Sequence, residues 1–306
     1  MTIRTLRLVL ALALATLLPA LAAQPGNARE GRVLVAVAEG DLDPIVRAVG
    51  GAYVDTQSLF RGCVLRKDLQ VEVGARARLA SAEAIVWTGF LNESAAISEA
   101  LRQQSGRKGQ EPKWIDVSKG AVRKNVPSSS CFGYVDPAFA AGDPFFWLNP
   151  ENGSVIAKNI ARGLAELRPA FRAQFMANAD AFKASLAQDI HRWKTALKPL
   201  HGLRVFTAQC GWQHLSILGG PEFVVCKGTP GELPSPQTLL LHIKQMKAEL
   251  ILVDPNTPAE YAEAFREQSG LKVIEVPSSI ESLKGAATYQ ALFDNLVKAV
   301  LAAHKH

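Results

Sequence analysis

Cysteine and histidine are scarce in this chain of 306 residues, which holds four cysteines and six histidines. No two cysteines stand in a Cys-x-x-Cys arrangement, so the sequence does not support a thiol oxidoreductase. No nucleophile, base and orienting group can be assembled from the spacing of residues, which disfavours an enzyme. A basic motif interleaved with aromatic residues is also missing, and nucleic-acid binding is excluded on that ground.

The chain also lacks an apolar run long enough for a membrane anchor, which needs ~20 residues. Arg4 and Arg7 precede an apolar stretch over residues 8–18, and Ala20-Leu21-Ala22 offers a cleavage site between small residues. This layout is typical of a secretory signal peptide, here residues 1–22. We therefore expect an exported, soluble mature protein without cofactor.

Composition sets the size and class of the fold. Hydrophobic residues make up 48% and charged residues 20%, with a formal net charge of +6, which is ordinary for a globular protein. A mature chain of about 280 residues exceeds one typical domain. Two lobes and a monomer are expected.

Short apolar runs alternate with helix-length segments along the whole chain. Such runs favour strands of parallel sheets that are covered by helices on both faces. The predicted strands are residues 32–38, 84–87, 114–117, 203–207, 222–225, 250–253 and 271–274. The sequence thus predicts an α/β fold with two parallel-sheet α/β lobes and a ligand cleft between them.

One long helical pattern separates the two sets of strands. Apolar residues from Leu164 to Leu197 recur at spacings of three, four or seven and form a single stripe. Pro169 is expected to break the pattern into two helices, and Pro199 to end the second. The predicted division is an N-terminal lobe over 29–168, a linking backbone helix over 169–198 and a C-terminal lobe over 199–306.

Residues 142–150 read Gly-Asp-Pro-Phe-Phe-Trp-Leu-Asn-Pro. The segment resembles the Asp-Pro-His-x-Trp-Leu-Asp-Pro signature of periplasmic solute-binding proteins that supply zinc, manganese or iron to ABC transporters. Four further segments resemble that family in the same order, namely residues 175–193, 204–212, 229–237 and 250–255. The resemblance runs from about Val33 to the C-terminus and implies a periplasmic location.

The resemblance also implies four metal-ligand positions, each in a loop that follows a strand. The signature histidine is replaced by Phe145, and the fourth position falls at Val276-Pro277. The first falls at Lys67 or Asp68, and the third among residues 207–209. Zinc needs about four nitrogen, sulfur or oxygen donors. The chain is therefore expected to be a degenerate member that does not bind a bare metal ion in the family's manner.

The four cysteines are expected to form disulfides, because an exported protein meets an oxidising compartment. Pairing within the lobes would join Cys63 to Cys131 and Cys210 to Cys226. All four map near the rim of the predicted cleft, so a thiolate metal site stays open as the alternative.

Aromatic and cationic residues are predicted to surround the cleft. An aromatic wall with a few cations suits an organic, partly anionic ligand better than a small hard cation. The candidate ligand-binding residues are Arg66, Lys67, Phe145, Phe146, Gln209 and Trp212. In the alternative, Phe145 plugs the vacated metal site and the cleft binds nothing small.

Three functions are compatible with these features. The first is a periplasmic receptor for a metal chelate or siderophore, with an ABC transporter permease and a second periplasmic binding protein as partners. Members of the family accompany siderophore-release systems, including one that handles pyoverdine, and this chain resembles their ligand-poor receptor. The second is a zinc or manganese receptor with the unorthodox donors Cys63, Asp68, Gln209 or Cys210. The third is a structural or chaperone-like partner of another periplasmic protein.

Overall fold

A computed structural model describes the chain over residues 31–60, 70–103, 111–123, 143, 145–207, 211–225, 234–283 and 288–304. Eight strands and eight α-helices lie within these ranges. The strands are β1 (Val33–Glu39), β2 (Val54–Phe60), β3 (Ala84–Trp87), β4 (Lys113–Asp116), β5 (Arg204–Thr207), β6 (Glu222–Val225), β7 (Leu250–Val253) and β8 (Lys272–Glu275). The helices are α1 (Asp43–Gly50), α2 (Val73–Ser81), α3 (Leu91–Arg102), α4 (Pro150–Leu167), α5 (Arg172–Leu197), α6 (Pro236–Gln245), α7 (Ala259–Gln268) and α8 (Tyr289–His304).

The strands form two four-stranded sheets with the same topology. The first has the order β2-β1-β3-β4 and the second the order β6-β5-β7-β8, and every neighbouring pair is parallel. The first strand of each set therefore lies inside its sheet, between the second and third. The prediction of two parallel-sheet α/β lobes is confirmed.

All seven predicted strands are present, and none of their ends shifts by more than one residue. Strand β2 was not predicted. It lies at the edge of the first sheet, and its central residues Asp55, Thr56, Gln57 and Ser58 are only half-buried. An edge strand with polar residues lacks the continuous apolar run on which the prediction relied.

The predicted break at Pro169 is present. Helix α4 ends at Leu167, a single 3-10 turn spans Pro169–Phe171, and α5 then continues for 26 residues. The apolar stripe of α5 faces the core through Phe175, Phe182 and Trp193. Its largest contact is with α4, which runs beside the first sheet.

Helix α4 approaches the first sheet closely at a glycine. A Cβ atom on Gly163 would lie 2.5 Å from the Cδ1 atom of Ile115, which belongs to β4. Only a residue without a side chain fits there unless the helix moves outward. The close approach packs the C-terminal half of α4 directly against β4.

One hydrophobic cluster extends through both sheets and the helices between them. It includes Val35 of β1, Phe175 of α5, Val205 of β5 and Phe293 of α8. The outer faces of the two sheets have separate clusters of their own. In the described ranges, none of the helices has the length and apolar character needed to cross a bilayer.

Candidate functional site

Several of the predicted site residues lie outside the described residues. These are the cysteines Cys63, Cys131, Cys210 and Cys226, the polar candidates Arg66, Lys67, Asp68 and Gln209, and the segment 1–22. The disulfides, the thiolate alternative and the cleavage of a signal peptide stay predictions. The described candidates are Phe145, Phe146 and Trp212.

The signature segment is held by its own polar side chains. The carboxylate of Asp143 accepts a hydrogen bond from the backbone nitrogen of Phe145 at 2.8 Å, and a 3-10 turn follows over Phe146–Leu148. The side chain of Asn149 then caps α4 by accepting a hydrogen bond from the backbone nitrogen of Glu151. Capping and the proline at position 150 start the helix here. These hydrogen bonds hold the segment before α4 in one conformation.

Phe145 is a buried side chain, with 7% of its surface exposed. Its ring lies 5.5 Å from that of Trp147, in an edge-to-face arrangement. It also packs against Gly211, where an added Cβ atom would lie 2.9 Å from the Cβ atom of Phe145. Gly211 has a φ of 95°, so both its backbone conformation and this contact require glycine. Phe145 thus joins the segment before α4 to the loop after β5.

The other aromatic candidates are also part of the core. Phe146 and Trp212 are fully buried. Their rings are packed within the core of the protein rather than exposed on an open surface. Whether any of the three contacts a ligand stays a prediction. Trp87 packs against Trp114, with 5.4 Å between the ring centroids, on the outer face of the first sheet.

Two more positions that the resemblance implied as ligands are buried. Thr207 ends β5 and is fully buried, and Val276 follows β8 with 1% exposure. Val276 belongs to the same hydrophobic cluster as Phe145. Its hydrocarbon side chain has no donor atom for a metal.

The structure brings together three polar side chains whose proximity the sequence does not indicate. His214 lies in the 3-10 helix Trp212–Leu218, and its Nε2 atom is 3.4 Å from an oxygen of Asp143. Gln213 donates a hydrogen bond to the same carboxylate oxygen at 2.5 Å. His214 and Asp143 are each about 1% exposed. The sequence does not single out His214, because the loop between β5 and this turn has no clear alignment with the family.

Asp41 connects the ends of the two sheets. One of its carboxylate oxygens accepts hydrogen bonds from the Ser279 hydroxyl at 2.9 Å and from the Ile280 backbone nitrogen at 2.7 Å. The other accepts one from the indole nitrogen of Trp147 at 3.1 Å. Tyr289 donates to the carbonyl oxygen of Trp147, and burial, together with the charge of Asp41, raises the pKa of Tyr289 well above its ordinary value.

A second buried acidic group lies at the carboxyl ends of β1 and β3. Glu39 and Glu93 are about 5% exposed and are hydrogen-bonded to each other. Burial raises the pKa of Glu93 to about 7, although a hydrogen bond from the Thr88 backbone and the charge of Arg123 oppose the rise. The guanidinium of Arg123 lies between the rings of Phe90 and Phe146, 4.5 and 5.1 Å from their centroids.

A groove of about 540 Å³ lies between α1, α5 and α8. Its lining includes Arg47, Asn178, Ser185 and Thr288, and none of the predicted site residues borders it. Within the part of the chain that the structure describes, no three histidine, cysteine, aspartate or glutamate side chains converge as metal ligands. His191 on α5 and His201 in a turn are exposed.

Solved structures share this fold. A crystal structure of ZnuA has a TM-score of 0.71 and 20% identity, with 89% of this chain and 99% of that chain covered. The laminin-binding protein Lmb of Streptococcus agalactiae, described as having adhesin and metal-transporting activity, has a TM-score of 0.68 and 18% identity, with 89% and 99% covered. A periplasmic metal-binding protein of Candidatus Liberibacter asiaticus has a TM-score of 0.66 and 15% identity, with the same coverage.

No curated protein sequence matches the chain. The family model described as "ZnuA: Zinc-uptake complex component A periplasmic" matches residues 35–303, which is most of the length and includes both sheets. The chain belongs to this family of periplasmic metal-binding solute-binding proteins of ABC transport systems.

Proposed function

We propose that this solute-binding protein receives its metal as a chelate, a ferric siderophore such as ferripyoverdine being the model ligand, and takes part in iron acquisition. The observation that carries the proposal is the buried side chain of Phe145 at the position of the family's signature histidine. A chelated metal already has its donors, so the receptor needs to recognise the organic shell and its charge. A receptor that lacks the signature histidine as a metal ligand could then still carry the metal.

The described ligand positions support this view. A phenyl ring at Phe145 and an isopropyl group at Val276 offer no lone pair, and the hydroxyl of Thr207 is fully buried. Zinc sites usually combine about four donors, with imidazole or thiolate among them. The second and fourth positions, Phe145 and Val276, thus have no donor atom, whereas the first position, Lys67 or Asp68, and two of the three candidates for the third lie outside the described residues.

The burial of the aromatic residues changes the expected binding mode. Phe145, Phe146 and Trp212 would form a rigid apolar base beneath the ligand. Contacts with the ligand would then come from Arg66, Lys67 and Gln209, whose cationic and amide groups suit an anionic chelate. Asp41 ties the end of the first sheet to the segment after β8 through two hydrogen bonds, so we expect little closure of the lobes on binding. An ABC transporter permease and a second periplasmic binding protein are the proposed partners.

Titration with a panel of ferric siderophores, followed by tryptophan emission, tests this function. The buried indole of Trp147 lies within the signature segment and should report binding by saturable quenching beyond the inner-filter effect. Lys67→Ala should weaken binding roughly tenfold or more, because a desolvated charge-assisted contact contributes ~1.5–3 kcal/mol. Binding should also weaken at high salt. Lys158→Ala, on the exposed face of α4, is the matched control and should bind as the wild type does.

Two results would overturn the proposal. The first is the absence of a saturable response to every member of the panel, in which case a role as partner of another periplasmic protein takes its place. The second is equal binding by the wild type and Lys67→Ala at low and high salt, because the chelate would then not be recognised by its charge. Phe145→Ala should lower the stability by ~3–5 kcal/mol as a core truncation.

A further inference from the structure

Two buried carboxyl groups meet at the carboxyl end of the first sheet. Glu39 is the last residue of β1 and Glu93 lies in the first turn of α3, and these residues are 5% and 4% exposed. Their side chains are hydrogen-bonded to each other, and Glu93 also accepts a hydrogen bond from the backbone nitrogen of Thr88 at 2.9 Å. A hydrogen bond between two carboxyl groups needs a proton on one of them. The pair therefore holds at least one proton in this arrangement.

The charged groups that face this pair lie on β4 and after it. Among the described residues, the guanidinium of Arg123 acts on Glu93 by its positive charge, and Asp116, the last residue of β4, acts on Arg123 by its negative charge. Arg123 also donates a hydrogen bond to the carbonyl oxygen of Thr88 at 2.9 Å. The charges of Arg123 and Asp116 balance while Glu93 holds a proton. Ionisation of Glu93 would add a negative charge to this end of the sheet.

Arg123 connects these charges to the signature segment. Its guanidinium lies 5.1 Å from the ring centroid of Phe146 and 4.5 Å from that of Phe90. The backbone of the preceding residue, Val122, is held by the side chain of Asn152 on α4, which accepts a hydrogen bond from the nitrogen and donates one to the carbonyl oxygen, both at 2.8 Å. The same amide group donates to the carbonyl oxygen of Phe146 at 2.8 Å. The charged groups therefore have a fixed position beside the signature segment.

We propose that the proton of the Glu39–Glu93 pair regulates the chelate site, so that the cleft binds an anionic chelate more tightly when Glu93 is protonated than when it is ionised. This regulation rests on the proposed function, because it acts on the same site. Ligands of α/β sheets lie beyond the carboxyl ends of the strands, which is where the pair lies. A charge in the interior is screened less than a surface charge, so its repulsion of an anionic ligand acts over a longer distance.

The surroundings of Glu93 bring the change of charge close to neutral pH. Burial raises the pKa of Glu93 to about 7, although the hydrogen bonds from Thr88 and the charge of Arg123 oppose the rise. A glutamate with the ordinary pKa of 4.5 would keep its negative charge throughout the neutral range. A pH below 7 therefore favours binding of the chelate, and a rise to pH 8 favours its release.

Titration of the full-length chain with ferripyoverdine at pH 6, 7 and 8 and constant ionic strength, followed by tryptophan emission, tests the regulation. The affinity of the wild type should fall at least about threefold from pH 6 to pH 8. Glu93→Gln should bind as the wild type does at pH 6 and more tightly than the wild type at pH 8. Comparison of the two proteins at one pH removes any change in the charge of the chelate itself. Glu99→Gln, on the exposed face of α3, is the matched control and should follow the wild type.

Carbon NMR of the chain labelled at its glutamate carboxyl carbons provides a second measurement, which needs no ligand. One carboxyl group should titrate with a midpoint near pH 7 in the wild type, and this transition should be missing from Glu93→Gln. A wild type without the transition would overturn the regulation whether or not a siderophore binds.

The siderophore titration separates this regulation from the proposed function. Saturable binding with the same pH dependence in the wild type and Glu93→Gln would overturn the regulation and leave chelate binding standing. The absence of saturable binding at every pH would overturn chelate binding and the regulation together. Circular dichroism at each pH checks that the variants are folded.

Discussion

The two sheets have the same strand order but stabilise their buried acidic groups differently. In the second sheet, Asp254 follows β7 and is 2% exposed. Its carboxylate accepts hydrogen bonds from the Asn256 nitrogen, the Ser278 nitrogen and the Ser278 hydroxyl, at 2.8, 2.7 and 2.6 Å. In the first sheet, Glu39 and Glu93 share one hydrogen bond and lie near Arg123.

The difference shows that acidic side chains near the carboxyl ends of the strands have different surroundings in the two sheets. Asp254 is a fully satisfied carboxylate whose negative charge holds the loops after β7 and β8 together. Glu93 is raised in pKa to about 7 because burial outweighs its partners. Burial thus favours the protonated form of Glu93 by raising its pKa, whereas the carboxylate of Asp254 accepts three hydrogen bonds. Replacing one carboxylate oxygen by an amide nitrogen should therefore have opposite effects in the two sheets.

Among the buried carboxyl groups, the largest effect is expected at Asp254. Asp254→Asn should lower the free energy of unfolding by about 3 kcal/mol at pH 7, because an amide group would face the Ser278 backbone donor and the charge-assisted hydrogen bonds would be lost. Chemical denaturation of the variant and the wild type measures the difference.

The control for Asp254→Asn is Asp294→Asn, which alters an exposed acceptor of Arg192 and Trp193 and should cost less. Equal losses in the two variants would contradict the view that Asp254 is stabilised as a buried ion. A gain in stability for Asp254→Asn would contradict it more directly.

Glu93 should make stability fall as the pH rises. The folded state keeps its proton up to about pH 7, whereas the unfolded state releases it near the ordinary value of 4.5. The unfolded state thus binds fewer protons between these values, and the slope of the unfolding free energy with pH is negative there. The contribution of Glu93 is full below pH 4.5 and is lost by pH 7, a decrease of about 3 kcal/mol.

Glu93→Gln should remove this pH dependence. The variant should match the wild type near pH 5 and be more stable at pH 8, by up to about 3 kcal/mol, since an amide has no charge to bury. Denaturation at several pH values, with Glu99→Gln on the exposed face of α3 as the control, tests this. A wild type whose stability is flat from pH 5 to 7.5 would show that the proton is not retained.

The fold was largely predictable because seven strands are continuous apolar runs. Strand β2 was the exception, since its polar centre reflects an edge position that only the sheet order reveals. The break between α4 and α5 followed from Pro169, whose ring cannot continue a helix. These elements are determined by residues close together in the sequence, and such short-range features can be recognised without a structure.

The candidate site was less predictable because its parts are distant in sequence. The sequence singled out Phe145, but the burial of Phe145 depends on its contact with Gly211, 66 residues away along the chain. His214 meets Asp143 only because a 3-10 helix turns its side chain inward after β5. The sequence shows a histidine, His214, two residues after Gly-Trp. Its contact with Asp143 depends on how the two segments pack and could not be predicted from the sequence.

The smallest predicted effect concerns Asp41, the residue of the first sheet that hydrogen-bonds to the loop after β8 in the second. Asp41→Asn keeps an oxygen for Ser279 and Ile280 but places an amide group against the indole donor of Trp147, so one hydrogen bond is lost. We expect a loss of about 1–2 kcal/mol in stability, with the fold retained. A change in the tryptophan emission should accompany it, because Trp147 would lose a charged acceptor. Asp55→Asn, at the exposed edge of the first sheet beside Arg78, is the control and should change neither property by a comparable amount. Unchanged emission in Asp41→Asn would mean that the environment of Trp147 does not depend on the charge of Asp41.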